Sequence, residues 1–253
     1  MSFPFQLDRI VTIAAPRETV FGFFTDSARW AAWWGAGSTI DPRVGGRVCI
    51  NLPGNTEVSG EVVSIQPAHQ IVFTYGYASG KPFPPGASRV TIALDSVVGG
   101  TRLHLTHEFP DSVSRDEHVQ GWRYQLSLFG NVVLNEVHAG AAGKVDAWFG
   151  LWSQPDAAAR SRTLGDIASP SVAFRDRFSM TDGADDLSEH VAAARKFMPG
   201  VVLQRDGEAR HCQGTVIAHW KAVGQDGQQI GAGSNVFVLG ADGRITSVTG
   251  FWG

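Results

Sequence analysis

The chain has 253 residues, of which 43% are hydrophobic and 18% charged, and its formal net charge is -3. At this length a single hydrophobic core usually stops growing and the chain divides into domains. The small negative charge argues against nucleic acid or an anionic membrane as a partner, and no apolar run approaches the roughly 18 residues of a membrane span. The two cysteines, Cys49 and Cys212, are too few for a disulfide framework, so we expect a cytoplasmic protein.

The first half of the sequence predicts a meander of short strands that is closed by a long helix. Residues 7–13 alternate in polarity, and strand-like segments recur between residues 48 and 109, separated by proline and glycine turns. Beyond Ser114, apolar residues recur at three- and four-residue steps, which predicts an amphipathic helix of about 24 residues. That stripe consists of Val119, Trp122, Leu126, Phe129, Val133 and Val137.

Short motifs in this half carry a resemblance to a known family. The motifs are residues 15–21, 33–35, 41–46, 60–62 with Pro67, and Gly121-Trp122. In order and spacing they resemble the branch of the START/Bet v 1-like superfamily that comprises homologues of the Hsp90 ATPase activator, over residues 5–138. The resemblance implies a helix-grip fold, in which a curved antiparallel sheet wraps around a long C-terminal helix and leaves an apolar cavity. We assign this domain to residues 1–140.

Aromatic side chains are the candidates to line that first cavity. Tyr75 and Tyr77 share one strand face by parity, so both can point toward the long helix. A phenol in an apolar cavity would orient a polar group of a ligand. We predict that Trp34, Tyr75, Tyr77 and Trp122 contact a ligand; the alternative for each is ordinary core packing.

The second half restarts near Gly140 with helices and finishes in strands. Asp-Gly pairs at residues 206–207, 226–227 and 242–243 predict its hairpin turns. The predicted strand at residues 209–220 contains both His211 and His219. The predicted elements are helices at 145–153, 156–167 and 185–198, a short strand at 172–178, and strands at 201–205, 209–220, 229–239 and 244–251.

This order of elements resembles the nuclear-transport-factor-2-like superfamily, and in particular its SnoaL-like polyketide cyclases and ketosteroid isomerases. The resemblance covers residues 144–253 and is carried by residues 148–156, 172–176 and 235–245. It implies a cone-shaped α+β barrel, and with it an α+β protein of two domains, residues 1–140 and 144–253. A homodimer through the sheet of the second domain is compatible with this interpretation.

The resemblance also suggests roles for individual residues. The carboxylate base of ketosteroid isomerases follows the short strand, where this chain has Asp176. Their phenol donor falls on Trp148 and their protonated-acid donor on Asn235. Of the three family groups, this chain therefore keeps only the carboxylate base. Trp148 and Asn235 still carry N–H groups that could stabilise an oxyanion, although anchoring the packing is the alternative.

Asp176 is the candidate general base, because a carboxylate at the rim of an apolar cavity can remove a proton α to a carbonyl. Its alternatives are an ion pair with Arg175 or Arg177, or plain exposure. His211 is the candidate acid–base partner of Asp176. Phe174, Trp148 and Trp220 are the predicted apolar contacts for a ligand in this domain.

No metal-ligand, nucleotide-binding or nucleophile-elbow motif is present in the sequence, so we expect no metal and no cofactor. Three interpretations remain open. The chain binds a small apolar molecule, aromatic or polyketide-like, with cofactor-independent isomerase or cyclase chemistry in the second domain. Alternatively it binds such a molecule without chemistry, or it is a protein-interaction module on the analogy of a co-chaperone.

Overall fold

The computed structural model describes residues 3–253, so the first two residues of the predicted first domain lie outside the described residues. The chain divides into two compact units that meet between Leu134 and Asn135, within the last turn of one long helix. We call the part up to Leu134 unit 1 and the part from Asn135 unit 2. Whether residues 1–140 and 144–253 are independent domains stays a prediction.

Unit 1 is a seven-stranded antiparallel sheet with three helices. The sheet order is β1-β7-β6-β5-β4-β3-β2. Its elements are β1 Phe5–Ile13, α1 Arg17–Gly22, α2 Ser27–Trp34, β2 Thr39–Ile40, β3 Arg47–Leu52, β4 Thr56–Gln66, β5 Gln70–Tyr75, β6 Ser88–Val97, β7 Gly100–Phe109 and α3 Ser112–Val137.

The long helix α3 is confirmed, together with the part of its apolar stripe that lies in unit 1. The stripe residues Trp122, Leu126, Phe129 and Val133 are all buried. The N-terminus lies slightly earlier than Ser114, because the Asp111 carboxylate accepts the Ser114 backbone N–H at 2.8 Å and satisfies one of the free donors of the first turn.

Aromatic packing anchors α2 and α3 within unit 1. The Trp33 and Phe129 ring centroids are 4.8 Å apart, and those of Trp30 and Trp33 are 5.2 Å apart. The Trp30 indole N–H also donates to the Cys49 carbonyl of β3. These large rings fill one core, which holds α2 against the sheet and leaves Trp34 at its edge.

Unit 2 combines a six-stranded mixed sheet with three further helices. The sheet order is β10-β11-β12-β13-β8-β9, with β13 and β8 parallel and all other pairs antiparallel. Its elements are α4 Ala141–Leu151, α5 Ala157–Ile167, β8 Ala168–Arg175, β9 Met180–Asp182, α6 Ala184–Phe197, β10 Val202–Cys212, β11 Thr215–Val223, β12 Gln229–Leu239 and β13 Ile245–Trp252.

The predicted strand over residues 209–220 is wrong. The chain turns at Gln213-Gly214, where both residues have positive φ, 47° and 80°, as a two-residue hairpin turn requires. The predicted turn at Asp206-Gly207 is instead an irregularity within β10, with a register shift after Asp206. His211 and His219 therefore lie on different strands.

No helix of the described residues is long and apolar enough to cross a membrane.

Candidate ligand pockets

Unit 2 contains an apolar pocket of about 260 Å³ between its helices and the sheet. Trp152, Phe174 and Trp220 form walls of the pocket, and Phe178 and Trp252 pack edge to face at its rim, with ring centroids 5.3 Å apart. The polar groups that line it are few: Asp176, Ser179, His190 and Asn235. A largely apolar wall with a few polar groups is typical of small-molecule sites.

Asp176 lies directly after β8, and two N–H groups orient its carboxylate. The Phe178 backbone N–H donates to Oδ1 at 2.8 Å, and the Trp252 indole N–H donates to Oδ2 at 3.1 Å. The neighbouring Arg175 pairs with Asp182 instead, at 2.7 Å. The carboxylate of Asp176 is thus held by neutral donors in the wall of the pocket.

Asn235 lies on β12 and is buried, with 6% of its surface exposed. The Trp220 indole N–H donates to its Oδ1 at 3.0 Å. An indole nitrogen can only donate, so this hydrogen bond fixes the orientation of the amide with its oxygen toward Trp220. The amide nitrogen of Asn235 is then the end that can donate to a ligand.

A glycine brings Asp176 and Asn235 to one place. Gly250 on β13 pairs with Asn235, and its neighbour Thr249 pairs with Arg175, so three adjacent strands meet there. A Cβ atom on Gly250 would lie 3.2 Å from both Asn235 Oδ1 and Asp176 Cβ. These two atoms are therefore at most twice that distance apart, across a gap that the missing side chain keeps open.

A serine and a histidine also meet in this pocket. Ser179 Oγ, in the turn before β9, lies 2.8 Å from His190 Nε2 on α6. The imidazole packs against two walls, with ring centroids 5.8 Å from Trp152 and 6.2 Å from Phe174. The pocket therefore holds a second group that can take part in proton transfer.

His211 and Trp148, both predicted site residues, do not line the pocket. His211 Nδ1 lies 2.9 Å from Asn135 Oδ1, and its Nε2 lies 3.2 Å from His138 Nδ1. Trp148 is fully buried in the core against Phe237, and its indole N–H has no partner among the described residues. Of the predicted unit 2 residues, the structure brings together Asp176, Asn235, Phe174 and Trp220.

Unit 1 has a more open pocket of about 430 Å³ between α3 and the sheet. All four predicted contacts of this half, Trp34, Tyr75, Tyr77 and Trp122, line it. Trp34 and Trp122 pack edge to face at 5.6 Å. The other lining residues are Leu52, Pro53, Pro82, Glu117, His118, Gly121, Tyr124 and Gln125.

Two hydrogen-bonded chains include residues that line this pocket. In the first, His118 Nδ1 lies 2.7 Å from the Ser114 carbonyl, which can only accept, so this nitrogen carries the proton. Burial lowers the pKa of His118, so its ring is neutral at pH 7 and Nε2 accepts from the Tyr77 hydroxyl at 3.1 Å. Burial, followed by the neighbouring Tyr77, raises the pKa of Tyr75 well above its usual range.

The second chain is centred on His107, which is fully buried. The Trp122 indole N–H donates to Nδ1 at 2.9 Å, so Nε2 carries the proton and donates to Ser88 Oγ, also at 2.9 Å. The Ser88 hydroxyl in turn donates to the Tyr75 carbonyl at 2.8 Å. Burial, followed by the neighbouring His118, lowers the pKa of His107 well below its usual value, which keeps the ring neutral.

Sequence analysis missed His118, Ser179, His190 and Trp252. His118 precedes Trp122 by four residues in the predicted helix, a spacing that puts two side chains on one face and would have revealed it. The contact between Ser179 and His190 joins two elements whose packing the sequence does not specify. The described residues contain no group of three or more His, Cys, Asp or Glu side chains that could hold a metal ion.

Comparisons with known proteins match parts of the chain. A family model described as Activator of Hsp90 ATPase homolog 1-like protein matches residues 14–133. No curated protein matches the chain. Among solved structures, a putative isomerase of the SnoaL-like family from Agrobacterium tumefaciens is 21% identical, covers 47% of this chain and 98% of its own, and has a TM-score of 0.43.

Two further solved structures are similar to this chain. An AHSA1-like protein from Rhizobium etli is 30% identical over 53% of this chain and 85% of its own, with a TM-score of 0.43. CalU16 from Micromonospora echinospora is 27% identical over 52% of this chain and 76% of its own, with a TM-score of 0.40. Residues 14–133 are thus similar to the Hsp90-ATPase-activator homologues, over slightly less than half of the chain.

Proposed function

We propose that this protein binds a small, largely apolar molecule in each of the two pockets described above. The observation that carries the proposal is the composition of the pockets: in both, aromatic walls enclose a small set of fixed polar groups. Such walls supply binding energy through burial of apolar area, and the polar groups fix the orientation of the ligand. Aromatic or polyketide-like molecules fit this chemistry.

Two glycines allow the pockets to be blocked one at a time. Gly121 lines the unit 1 pocket, and a Cβ there meets no atom within 4 Å, so Gly121→Leu would extend into open space. A Cβ on Gly250 would enter the floor of the unit 2 pocket, close to Asn235 and Asp176. Matched controls are Gly130→Ala and Gly165→Ala, which add a methyl group to a helix away from both pockets.

The measurement is a fluorescence titration of the full chain with N-phenyl-1-naphthylamine, a neutral dye that brightens in apolar surroundings. We expect Gly121→Leu and Gly250→Ala each to remove part of the bound dye, and the double variant to remove nearly all of it. The two control variants should bind as the parent does. Equal binding by the blocked and the control variants would refute the proposal.

A second candidate function, proton transfer in unit 2, is supported by the arrangement around Gly250. The Asp176 carboxylate can accept a proton from an acidic C–H bond, and the Asn235 amide nitrogen can donate to the oxygen on which negative charge develops. His190 with Ser179 provides a second site for a proton. This is the chemistry of a cofactor-independent isomerase or cyclase.

The base can be tested without knowing the substrate. 5-Nitrobenzisoxazole is a flat apolar molecule whose ring opens when a base removes its C–H proton; the N–O bond breaks, and a coloured phenolate forms. We expect the full chain to accelerate this reaction and Asp176→Asn to lower the rate by at least about 100-fold. Asp166→Asn, which removes an exposed carboxylate on α5, should change nothing. If the Asp176→Asn and Asp166→Asn variants react at equal rates, Asp176 is not a base.

A further inference from the structure

One hydroxyl in the wall of the unit 1 pocket is arranged to accept a hydrogen bond rather than to donate one. The Tyr77 hydroxyl is central. Its proton is committed to His118 Nε2, because His118 Nδ1 already carries the ring proton and donates to the Ser114 carbonyl. A hydroxyl has one proton and two lone pairs, so Tyr77 can offer a ligand only its oxygen.

Neighbouring aromatic groups pack around Tyr77. The Tyr75 and Tyr77 rings pack edge to face with centroids 6.0 Å apart, and burial raises the pKa of both phenols. Trp122 donates to His107 and is therefore occupied as well. The Gln125 amide nitrogen donates one of its two N–H groups to the Trp33 carbonyl, which orients the amide.

The Trp34 indole and the Glu117 carboxylate also affect which polar groups of a ligand the pocket can accommodate. The Trp34 indole N–H has no partner among the described residues, but it is shielded from the pocket surface and is not offered to a ligand. Glu117, an exposed carboxylate at the pocket, is the charged side chain among the residues that line it. No lysine or arginine belongs to that set, so nothing in the pocket wall attracts an anion.

From this arrangement we infer that the unit 1 pocket selects neutral aromatic molecules that carry a hydrogen-bond donor, such as a phenolic hydroxyl, and discriminates against ethers and carboxylates of the same shape. The inference rests on the proposed ligand binding by this pocket. Tyr77 could donate to an ether oxygen only by turning its proton away from His118, which would leave a partly buried acceptor unpaired. A carboxylate would face Glu117 without a countercharge.

Acid should weaken this preference. When His118 takes up a proton, Nε2 becomes a donor to the Tyr77 oxygen, and the Tyr77 proton becomes free for a ligand. The titratable groups that surround His118 are Tyr75, Tyr77 and His107, whose rings contact its ring or share its hydrogen bond, and Glu117 beside it on α3. Protonation of His118 places a positive charge beside the side chain of Glu117.

The test compares 1-naphthol, 1-methoxynaphthalene, naphthalene and 1-naphthoate, which share one ring system. Binding to the full chain is followed through the indole resonance of Trp122 in nitrogen–proton NMR spectra, which reports on unit 1 alone. At pH 7.5 we expect 1-naphthol to bind about 10-fold or more tightly than 1-methoxynaphthalene, the cost of one unpaired buried acceptor. 1-Naphthoate should bind most weakly.

Tyr77→Phe should bring 1-naphthol and 1-methoxynaphthalene within about 2-fold of each other, whereas Tyr124→Phe, which removes an exposed phenol at the same pocket, should preserve the difference. Glu117→Gln, an exposed substitution that leaves the fold intact, should strengthen 1-naphthoate binding.

At pH 5.5 the parent's preference for 1-naphthol should shrink. Equal affinity for the hydroxyl and the ether in the parent would overturn the inference while leaving the pocket in place. If none of the four compounds shifts Trp122, the pocket itself is refuted.

Discussion

The two units differ in how their polar side chains are hydrogen-bonded near the pockets. In unit 1 several buried polar groups satisfy one another: Trp122, His107 and Ser88 form one chain, and Tyr77 and His118 belong to another. In unit 2 indole N–H groups instead orient the polar groups that face the pocket, Asp176 and Asn235. A closed network leaves few groups for chemistry and suits recognition, whereas a carboxylate and an amide held open toward one point suit proton transfer.

Acidification should distinguish the units most strongly. The pKa of His107 lies well below the roughly 6.5 of an unfolded histidine, so between the two values the unfolded chain binds more protons. The stabilisation is complete above about pH 6.5 and falls as the pH drops, by up to about 1.4 kcal/mol per pH unit for each such histidine. His118 adds to this loss in unit 1.

Unit 2 should lose less in acid. Burial also lowers the pKa of His138 and His211, but the shift of His107 is the larger. Hydrogen exchange of the full chain, followed by mass spectrometry at pH 7.5 and 5.5, separates the units peptide by peptide. His107→Gln should flatten the pH dependence of unit 1, and His104→Gln, an exposed histidine of the same strand, should not. Equal acid loss in both units would remove the contrast.

Matched tryptophan substitutions sharpen the comparison. Trp122→Phe removes an indole N–H that His107 accepts, and the unpaired buried nitrogen should cost about 1–3 kcal/mol beyond the lost packing. Trp148→Phe removes an indole N–H that has no partner among the described residues, so it should lack this extra cost. Urea unfolding of the two variants measures the difference in free energy. A Trp148→Phe variant that loses as much as Trp122→Phe would contradict the assigned network.

The smallest expected effect concerns the long helix of unit 1. Gly121 and Gly130 lie within α3, and a methyl group at either would meet no atom within 4 Å. Gly121→Ala and Gly130→Ala should each raise the free energy of unfolding by up to about 1 kcal/mol, the difference in helix propensity between the two residues. Only Gly121→Ala should also alter dye binding, since only Gly121 lines the pocket. A loss of stability in either variant would show that the glycine is needed for close packing.

The sequence predicted unit 1 better than unit 2, for a physical reason. The spacing of the long apolar stripe of α3 is compatible only with a helix. The two-residue spacing of Tyr75 and Tyr77 on a strand predicted that both face the pocket, and both line it. Unit 2 has two nearby dipeptides that could form the same hairpin turn, Asp206-Gly207 and Gln213-Gly214. In the structure Gln213-Gly214 forms the turn, and Asp206-Gly207 lies within β10. That choice moved His211 away from Asp176.

Contacts that join distant elements were beyond prediction from one sequence. Trp252 reaches Asp176 across 76 residues, and its role depends on how β13 aligns with β8. The parallel pairing of β8 and β13 depends on how the whole chain of unit 2 folds, and no local sequence pattern predicts it. By contrast, Asp176 and Asn235 were predicted through the resemblance of their segments to a known family, which supplied positions that no local pattern in this sequence indicates.

The central claim, that both units hold a ligand, can be tested with the eight tryptophans of the chain. Their indole N–H resonances are recorded in a nitrogen–proton NMR titration with 1-naphthol. We predict saturable shifts of Trp122 in unit 1 and of Trp220 and Trp252 in unit 2, which line the pockets. The core residues Trp30 and Trp148 should not move. Stationary pocket resonances, or equal shifts of pocket and core tryptophans, would contradict the account.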